Sequence, residues 1–364
     1  MGNHMSKPIR VLIVDDSSVI RQLLTLMLSA DPEIEVVGTA SDPFVARDRI
    51  KALNPDVVTL DVEMPGMDGV TFLRKIMALR PMPVVMVSTL TQAGAETTLE
   101  ALEIGAVDFI AKPTVDVSNA MIGIAAELQA KVKAAAHARV GARHAPAPAR
   151  APRIEKPRNG WDKIIAIGAS TGGVEALKVV LMDMPADCPP VLITQHMPPR
   201  FTAAFAERLN RECPMKVSEA VHNEAIEPSH VYIAPGSHHL ELTKVGSTYR
   251  CCLNDGPTVS GHRPSVDVLF RSVARVAKGA AVGAILTGMG KDGAEGLLEM
   301  RNAGATTLGQ DEPSSLIYGM PRVAFERGAV MHQHSLSRIA DALIGACETD
   351  AKSHKRDTGT VHAG

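Results

Sequence analysis

Two α/β domains in series are predicted by three features of this 364-residue sequence. Short β-branched apolar runs alternate with amphipathic helical stretches; one Ala- and Pro-rich basic segment interrupts the alternation; beyond it the alternation resumes. Near-continuous apolar strands separated by helices imply parallel sheets covered on both faces. The first domain is expected to hold a five-stranded parallel sheet, and the second to be doubly wound and mostly parallel, with an antiparallel hairpin.

In the first domain, strands are predicted at Arg10–Val14, Glu35–Gly38, Asp56–Leu60, Val84–Val87 and Asp108–Ile110. Helices are predicted at Val19–Ser29, Pro43–Leu53, Thr71–Leu79 and Glu96–Ile104, with a fifth after Ser118. Right-handed crossovers leave few topologies, and five βα units suit the flavodoxin-like order. From Lys131 to Arg158 there are eight Lys or Arg against the single acid Glu155, with prolines at 146, 148, 152 and 157. A nucleic-acid-binding arm is one reading of this stretch. An interdomain linker is the favoured one, since no aromatic is present for stacking. In the second domain, strands are predicted at Lys163–Ile167, Val191–Thr194, Val231–Ala234, Ala281–Thr287 and Thr306–Gly309. Helices follow Gly172, Arg200, Pro264 and Gly293 and surround Leu336–Cys347, and a hairpin turning at Val245-Gly246 forms an antiparallel element at one edge. The resulting division is 8–130 for the first domain, 131–160 for the linker, 161–350 for the second domain and 351–364 for a disordered tail. Met1–His4 read as an addition ahead of a natural start at Met5.

Composition excludes several function classes. A hydrophobic share of 45% with 21% charged residues is that of globular protein, and a net charge of −2 disfavours nucleic acid as a partner. No apolar run reaches the ~18 residues of a membrane span, so the chain is expected to be cytoplasmic and not membrane-embedded. Five cysteines without a C-x-x-C pair suit reduced thiols, and none of the thirteen histidines stands in a zinc-binding spacing.

Ligands of open α/β sheets bind at the carboxyl ends of strands. In the first domain those ends carry Asp15 and Asp16, Asp61, the hydroxyl of Ser88 and the ammonium of Lys112. Isolated acids after strands are often helix caps. Three acids meeting in one pocket repel unless a cation lies among them, and oxygen ligands beside a phosphate suit Mg²⁺. Val14-Asp15-Asp16-Ser17, Leu60-Asp61-Val62-Glu63-Met64-Pro65 with Asp68-Gly69, Val87-Ser88-Thr89 and Ala111-Lys112-Pro113 resemble the motifs of response-regulator receiver domains. The resemblance, covering Ile9 to Met121, implies that Asp61 takes a phosphoryl group from a histidine kinase. It also implies that Asp15, Asp16 and Asp61 hold Mg²⁺ while Ser88 and Lys112 bind phosphoryl oxygens. Many receivers carry an aromatic two positions before the lysine; this chain has Ile110, and Phe109 should face elsewhere by strand alternation.

In the second domain, Gly168-Ala169-Ser170-Thr171-Gly172 is a G-x-S-x-G turn between a strand and a helix. Such a turn can expose a serine nucleophile or simply cradle a phosphate. His196 and Asp292 follow two further strands, so an alcohol, a base and an orienting acid can converge. Their order, Ser–His–Asp, differs from the Ser–Asp–His of α/β-hydrolases. Gly288-x-Gly290-x-x-Gly293 also fits a dinucleotide loop, but it lies late in its domain. His262-Arg263-Pro264-Ser265-Val266-Asp267 offers a second Ser/His/Asp set, which reads better as a helix cap with a first-turn acid, although Ser265 could line the pocket.

These segments, together with Thr194-Gln195-His196-Met197-Pro198-Pro199, Tyr232-Ile233-Ala234-Pro235-Gly236 and Leu286-Thr287-Gly288-Met289-Gly290, resemble the catalytic domain of the protein-glutamate methylesterases of bacterial chemotaxis. That resemblance implies hydrolysis of glutamate γ-methyl esters on the cytoplasmic helices of chemoreceptors, deamidation of certain receptor glutamines, and a chemotaxis histidine kinase as phosphoryl donor. Ester hydrolysis itself would need no cofactor. Ser170 would be the nucleophile, His196 the base and Asp292 its partner, with backbone N–H groups at Thr171 or Met289 as oxyanion donors. The unphosphorylated receiver would partly cover the cleft. A serine esterase or amidase acting on another protein is the alternative. An output that only binds DNA would want a basic recognition helix, and none is evident.

Overall fold

The structure, a computed structural model, describes residues 7–89, 91–112, 118–138, 140 and 161–348. Most of the expected linker, the whole expected tail and residues 1–4 lie outside the described residues. The chain divides into two compact units at Ala145/Pro146.

The first unit alternates β1 (Ile9–Val14), α1 (Ser18–Ser29), β2 (Ile34–Ala40), α2 (Pro43–Leu53), β3 (Val57–Asp61), α3 (Gly69–Leu79), β4 (Val84–Ser88), α4 (Gln92–Ile104), β5 (Asp108–Ala111) and α5 (Ser118–Ala136). The sheet runs β2-β1-β3-β4-β5, every pair parallel, which is the expected flavodoxin-like order. β3 and β4 are buried along their whole length because helices cover both faces. Local chemistry sets the helix starts: Asp42 caps α2, Asp68 caps α3 and Thr91 caps α4, each side chain accepting backbone N–H bonds from the first turn. α5 runs past 130 to Ala136, with Val132 and Ala135 buried.

The second unit contains β6 (Ile164–Ala169), α6 (Gly173–Asp183), β7 (Val191–Gln195), α7 (Phe201–Glu212), β8 (Lys216–Glu219), β9 (His230–Ile233), β10 (His239–Val245), β11 (Thr248–Asn254), α8 (Val266–Val276), β12 (Ala281–Ile285), α9 (Ala294–Asn302), β13 (Thr306–Gln310), α10 (Met320–Glu326), β14 (His332–His334) and α11 (Leu336–Glu348). Its seven-stranded sheet, ordered β14-β13-β12-β6-β7-β9-β8, is parallel throughout. The chain first builds outward from β6 through β7, then returns to the other side of β6 for β12. The carboxyl ends of β12, β6 and β7 therefore flank a topological switch point, where such sheets bind ligands.

The expected edge hairpin is placed differently. β10 and β11 form a separate two-stranded sheet whose inner face, Leu240, Leu242 and Cys251, joins one core cluster with Leu269, Phe270 and Val273 of α8. The hairpin has an apolar face to bury, and α8 offers a matching one, with Leu242 N also donating to Ser272 Oγ at 2.8 Å.

Gly69 fixes how β3 passes into α3. A Cβ there would lie 1.9 Å from the backbone oxygen of Asp61, so no side chain fits without moving the main chain. Gly69→Ala is expected to lower the stability of the first unit by at least about 1–3 kcal/mol, read from its urea unfolding midpoint.

Candidate functional sites

In the first unit, Asp15, Asp61 and Ser88 are buried at the carboxyl ends of β1, β3 and β4, while Asp16 is exposed. Lys112 Nζ donates to Asp61 Oδ2 at 2.7 Å and lies 3.4 Å from Asp15 Oδ2. Ser17 N donates to Asp15 Oδ1 at 2.9 Å and Glu63 N to Asp61 Oδ1 at 3.1 Å. One oxygen from each of Asp15, Asp16 and Asp61 falls within 4.8 Å of the others. The buried Asp15 Oδ2 makes no hydrogen bond. A buried carboxylate oxygen whose partner is the Lys112 ammonium at 3.4 Å, within a cluster of hard oxygen donors, fits a small divalent cation such as Mg²⁺.

Burial raises the Asp61 pKa to about 6, with the Asp15 charge adding to it and the Lys112 hydrogen bond opposing it. Asp15 is also raised by burial, against the pull of Lys112. Burial would lower the pKa of Lys112, but its bond and charge interactions with Asp61 and Asp15 outweigh this and raise it. The Ser88 hydroxyl meets α4, accepting from Thr98 Oγ1 at 2.7 Å and lying 3.3 Å from Gly94 O. Phe109 and Ile110 are both buried.

In the second unit, β6 ends at Ala169, and the chain turns through Ser170 and Gly172, the latter at φ +78°, into α6. Ser170 N donates to Thr287 O at 3.0 Å, which ties the turn to the end of β12. Gln195 Nε2 donates to Ser170 O at 2.9 Å and to His196 O at 3.2 Å, bracing the turn against β7. A Cβ on Gly288 would lie 2.8 Å from Ser170 Cβ, so glycine lets the β12 loop close on the serine.

The structure brings the three expected side chains together. His196 Nε2 is 2.8 Å from Asp292 Oδ2 and His196 Nδ1 is 3.2 Å from Ser170 Oγ. A neutral ring protonated on Nε2 donates to the carboxylate and leaves Nδ1 to accept from the hydroxyl. This exchanges the nitrogens relative to the serine-protease arrangement, where Nε2 faces the serine. Asp292 is 1% exposed, yet it accepts from Ser265 Oγ at 2.8 Å, Val266 N at 2.7 Å and Asp267 N at 3.2 Å. Burial acts to raise its pKa, but the hydrogen bond and charge of His196, with the Val266 and Ser265 donors, hold the carboxyl below its ordinary value. Met289 is half-buried, and its N–H has no hydrogen-bond partner among the described residues. Thr171 is buried and its carbonyl accepts from Thr287 Oγ1 at 3.0 Å.

The sequence family then follows from the whole chain. Residues 165–343 match the family model described as CheB methylesterase, and residues 11–121 match that of the response regulator receiver domain. A curated relative from Xanthomonas oryzae pv. oryzae, a protein-glutamate methylesterase/protein-glutamine glutaminase, is 55% identical over 93% of this chain and 98% of its own length. The chain belongs to the CheB methylesterase family. A member from Caulobacter vibrioides is 58% identical over 92% of this chain and 97% of its own length. The solved CheB methylesterase catalytic domain of Thermotoga maritima is 34% identical, with a TM-score of 0.50, over 50% of this chain and 97% of that one. The chain is accordingly a two-domain ester hydrolase of this family with a receiver ahead of its catalytic domain.

Ser265, expected as a helix cap that could line the pocket, does reach the site, whereas His262 was not legible as a neighbour of it. Ser265 occupies the N-cap position of α8 but makes no capping bond; its hydroxyl goes to Asp292 instead, and Asp292 accepts the helix's first N–H groups. His262 stacks on His196, with ring centroids 3.7 Å apart and planes 12° from parallel. The H-R-P-S-V-D run signalled a helix start, but not what lay across from it.

Because a proton on Asp61 competes with a cation for the same oxygens, the raised pKa carries a pH signature. Affinity for Mg²⁺ is expected to hold near neutral pH and to weaken as pH falls through about 6, as titration at pH 7.5 and pH 5.5 would measure.

Proposed function

We propose that this chain is a cytoplasmic, phosphorylation-controlled methylesterase that removes glutamate γ-methyl groups from the cytoplasmic helices of chemoreceptors and deamidates selected receptor glutamines. The observation that carries the reading is the unbroken contact from Ser170 through His196 to Asp292. Ser170 Oγ attacks the ester carbonyl as its proton passes to His196 Nδ1. The same nitrogen returns that proton to the departing methoxide, giving methanol. A water molecule, deprotonated by Nδ1, then releases the glutamate and regenerates the hydroxyl. Asp292, kept ionised by its donors, stabilises the ring while it is cationic. General base catalysis of this kind contributes typically ~10²–10⁴-fold. The unpaired N–H of Met289, beside Ser170 through Gly288, is the better-supported oxyanion donor; Thr171 is the other candidate. With an amide in place of the ester, the same steps release ammonia.

In the receiver, Asp61 is the phosphoryl acceptor, supplied by a chemotaxis histidine kinase. Lys112 already holds Asp61 Oδ2 and would pair with phosphoryl oxygens, while Ser88, buried at the end of β4, would turn its hydroxyl from Gly94 O of α4 to join it. Asp15, Asp16 and Asp61 would hold Mg²⁺, which when bound neutralises charge on the transferring group.

The deciding measurement is methanol release from methyl-labelled receptor membranes; a wild-type chain that releases none would overturn the reading. Ser170→Ala is expected to lose about 10⁴-fold or more of the rate. Ser265→Ala removes one bond to a charged group, on the order of 1.5–3 kcal/mol, and should cost about 10- to 150-fold while leaving the nucleophile in place. A small phosphodonor with Mg²⁺ is expected to raise the wild-type rate and to leave that of Asp61→Asn unchanged.

A further inference from the structure

We propose that His262 is a positioning residue for proton transfer at His196, acting through the face of its ring; this rests on the methylesterase reading above. Among the described residues the His196 ring is hydrogen-bonded at two edge atoms, Nδ1 to Ser170 and Nε2 to Asp292. The soft motion left to the ring is rotation about its Cβ–Cγ bond, which swings both nitrogens out of line with their partners. The nearly parallel His262 ring, 3.7 Å away and at 12°, closes one face and removes that freedom. An aromatic face beside a ring that becomes cationic also stabilises the charge as it develops.

The loop that carries His262 is built to present it. Val259 and His262 exchange both backbone hydrogen bonds at 3.0 Å across Ser260 and Gly261, whose φ values of 53° and 83° are those of a tight two-residue hairpin. Arg263 Nη1 donates to Asp255 O at 3.1 Å and Gly256 O at 3.0 Å. The buried His239 uses both ring nitrogens on the same loop, Nε2 to Pro257 O at 3.0 Å and Nδ1 accepting from Ser265 N at 3.1 Å. Three sets of polar clamps thus fix a half-buried imidazole against the reacting one. Ordinary core packing requires none of them.

The test compares full-length wild type, His262→Ala, His262→Gln and His262→Phe with phosphodonor present, by methanol release and by the rate at which a fluorophosphonate labels Ser170. Removing the aromatic face in the Ala and Gln variants is expected to lower kcat about 3- to 30-fold, the fold-change of a lost ring-face contact to a cation. KM should stay within about twofold, and His262→Phe should recover most of the rate. A melting curve for each variant checks folding; should Ala fail to fold, the Gln and Phe pair still decides. Wild-type kcat in Ala or Gln, a Phe variant as slow as Gln, or a change confined to KM would each overturn the proposal. Wild type that labels at Ser170 but releases no methanol, with labelling slowed in Gln and restored in Phe, would sink the receptor-ester substrate and support the positioning role.

Discussion

The catalytic domain is organised around the burial of one negative charge. Asp292 is removed from water, a change that costs several kcal/mol for a carboxylate unless its oxygens are satisfied. Four donors satisfy it: the imidazole of His196, the hydroxyl of Ser265 and the main-chain N–H groups of Val266 and Asp267. Three of them belong to the start of α8, so the helix must begin at that point and aim its positive end at the carboxylate. Glycine makes the approach possible, because side chains at Gly168 or Gly293 would run into Val266 at 2.2 and 2.5 Å. An asparagine at 292 would turn an amide nitrogen toward groups that themselves donate, so the position demands an acid.

Both domains place their chemistry on the same architectural feature, the carboxyl edge of a parallel sheet, and treat charge there in opposite ways. The catalytic site gives one acid a full set of donors and holds its pKa down. The receiver crowds acids together with a single ammonium among them, and burial lifts Asp61 to about 6. The first arrangement holds Asp292 in its ionised form. The second leaves a carboxylate whose charge is only partly met, as the phosphoryl acceptor proposed above would require.

Much of this was legible in the sequence because strand-end residues are few and their types are diagnostic. Ser170, His196 and Asp292 each follow an apolar run, as do Asp15, Asp61 and Lys112. What escaped was short or lacked period. β8 at Lys216–Glu219 and β14 at His332–His334 are edge strands with polar faces, and α10 at Met320–Glu326 is too brief for a helical pattern to show. The hairpin was recognised from its turn, but its partner, α8, is a matter of tertiary packing. The run around Ser265 gave the helix start correctly while hiding the direction of the hydroxyl. Contacts between loops distant in sequence, such as the two stacked imidazoles, leave no local trace.

His196 is mounted by its two ring nitrogens, and one orientation of the ring supplies both. Half a turn about the Cβ–Cγ bond would bring Cδ2 to the serine and Cε1 to the carboxylate, carbon atoms in place of nitrogen at both ends. Such a flipped rotamer has the same outline but can neither accept from the serine nor donate to the carboxylate. The ring therefore has one setting that joins Ser170 to Asp292, and turning it over breaks that line of contacts without displacing a backbone atom.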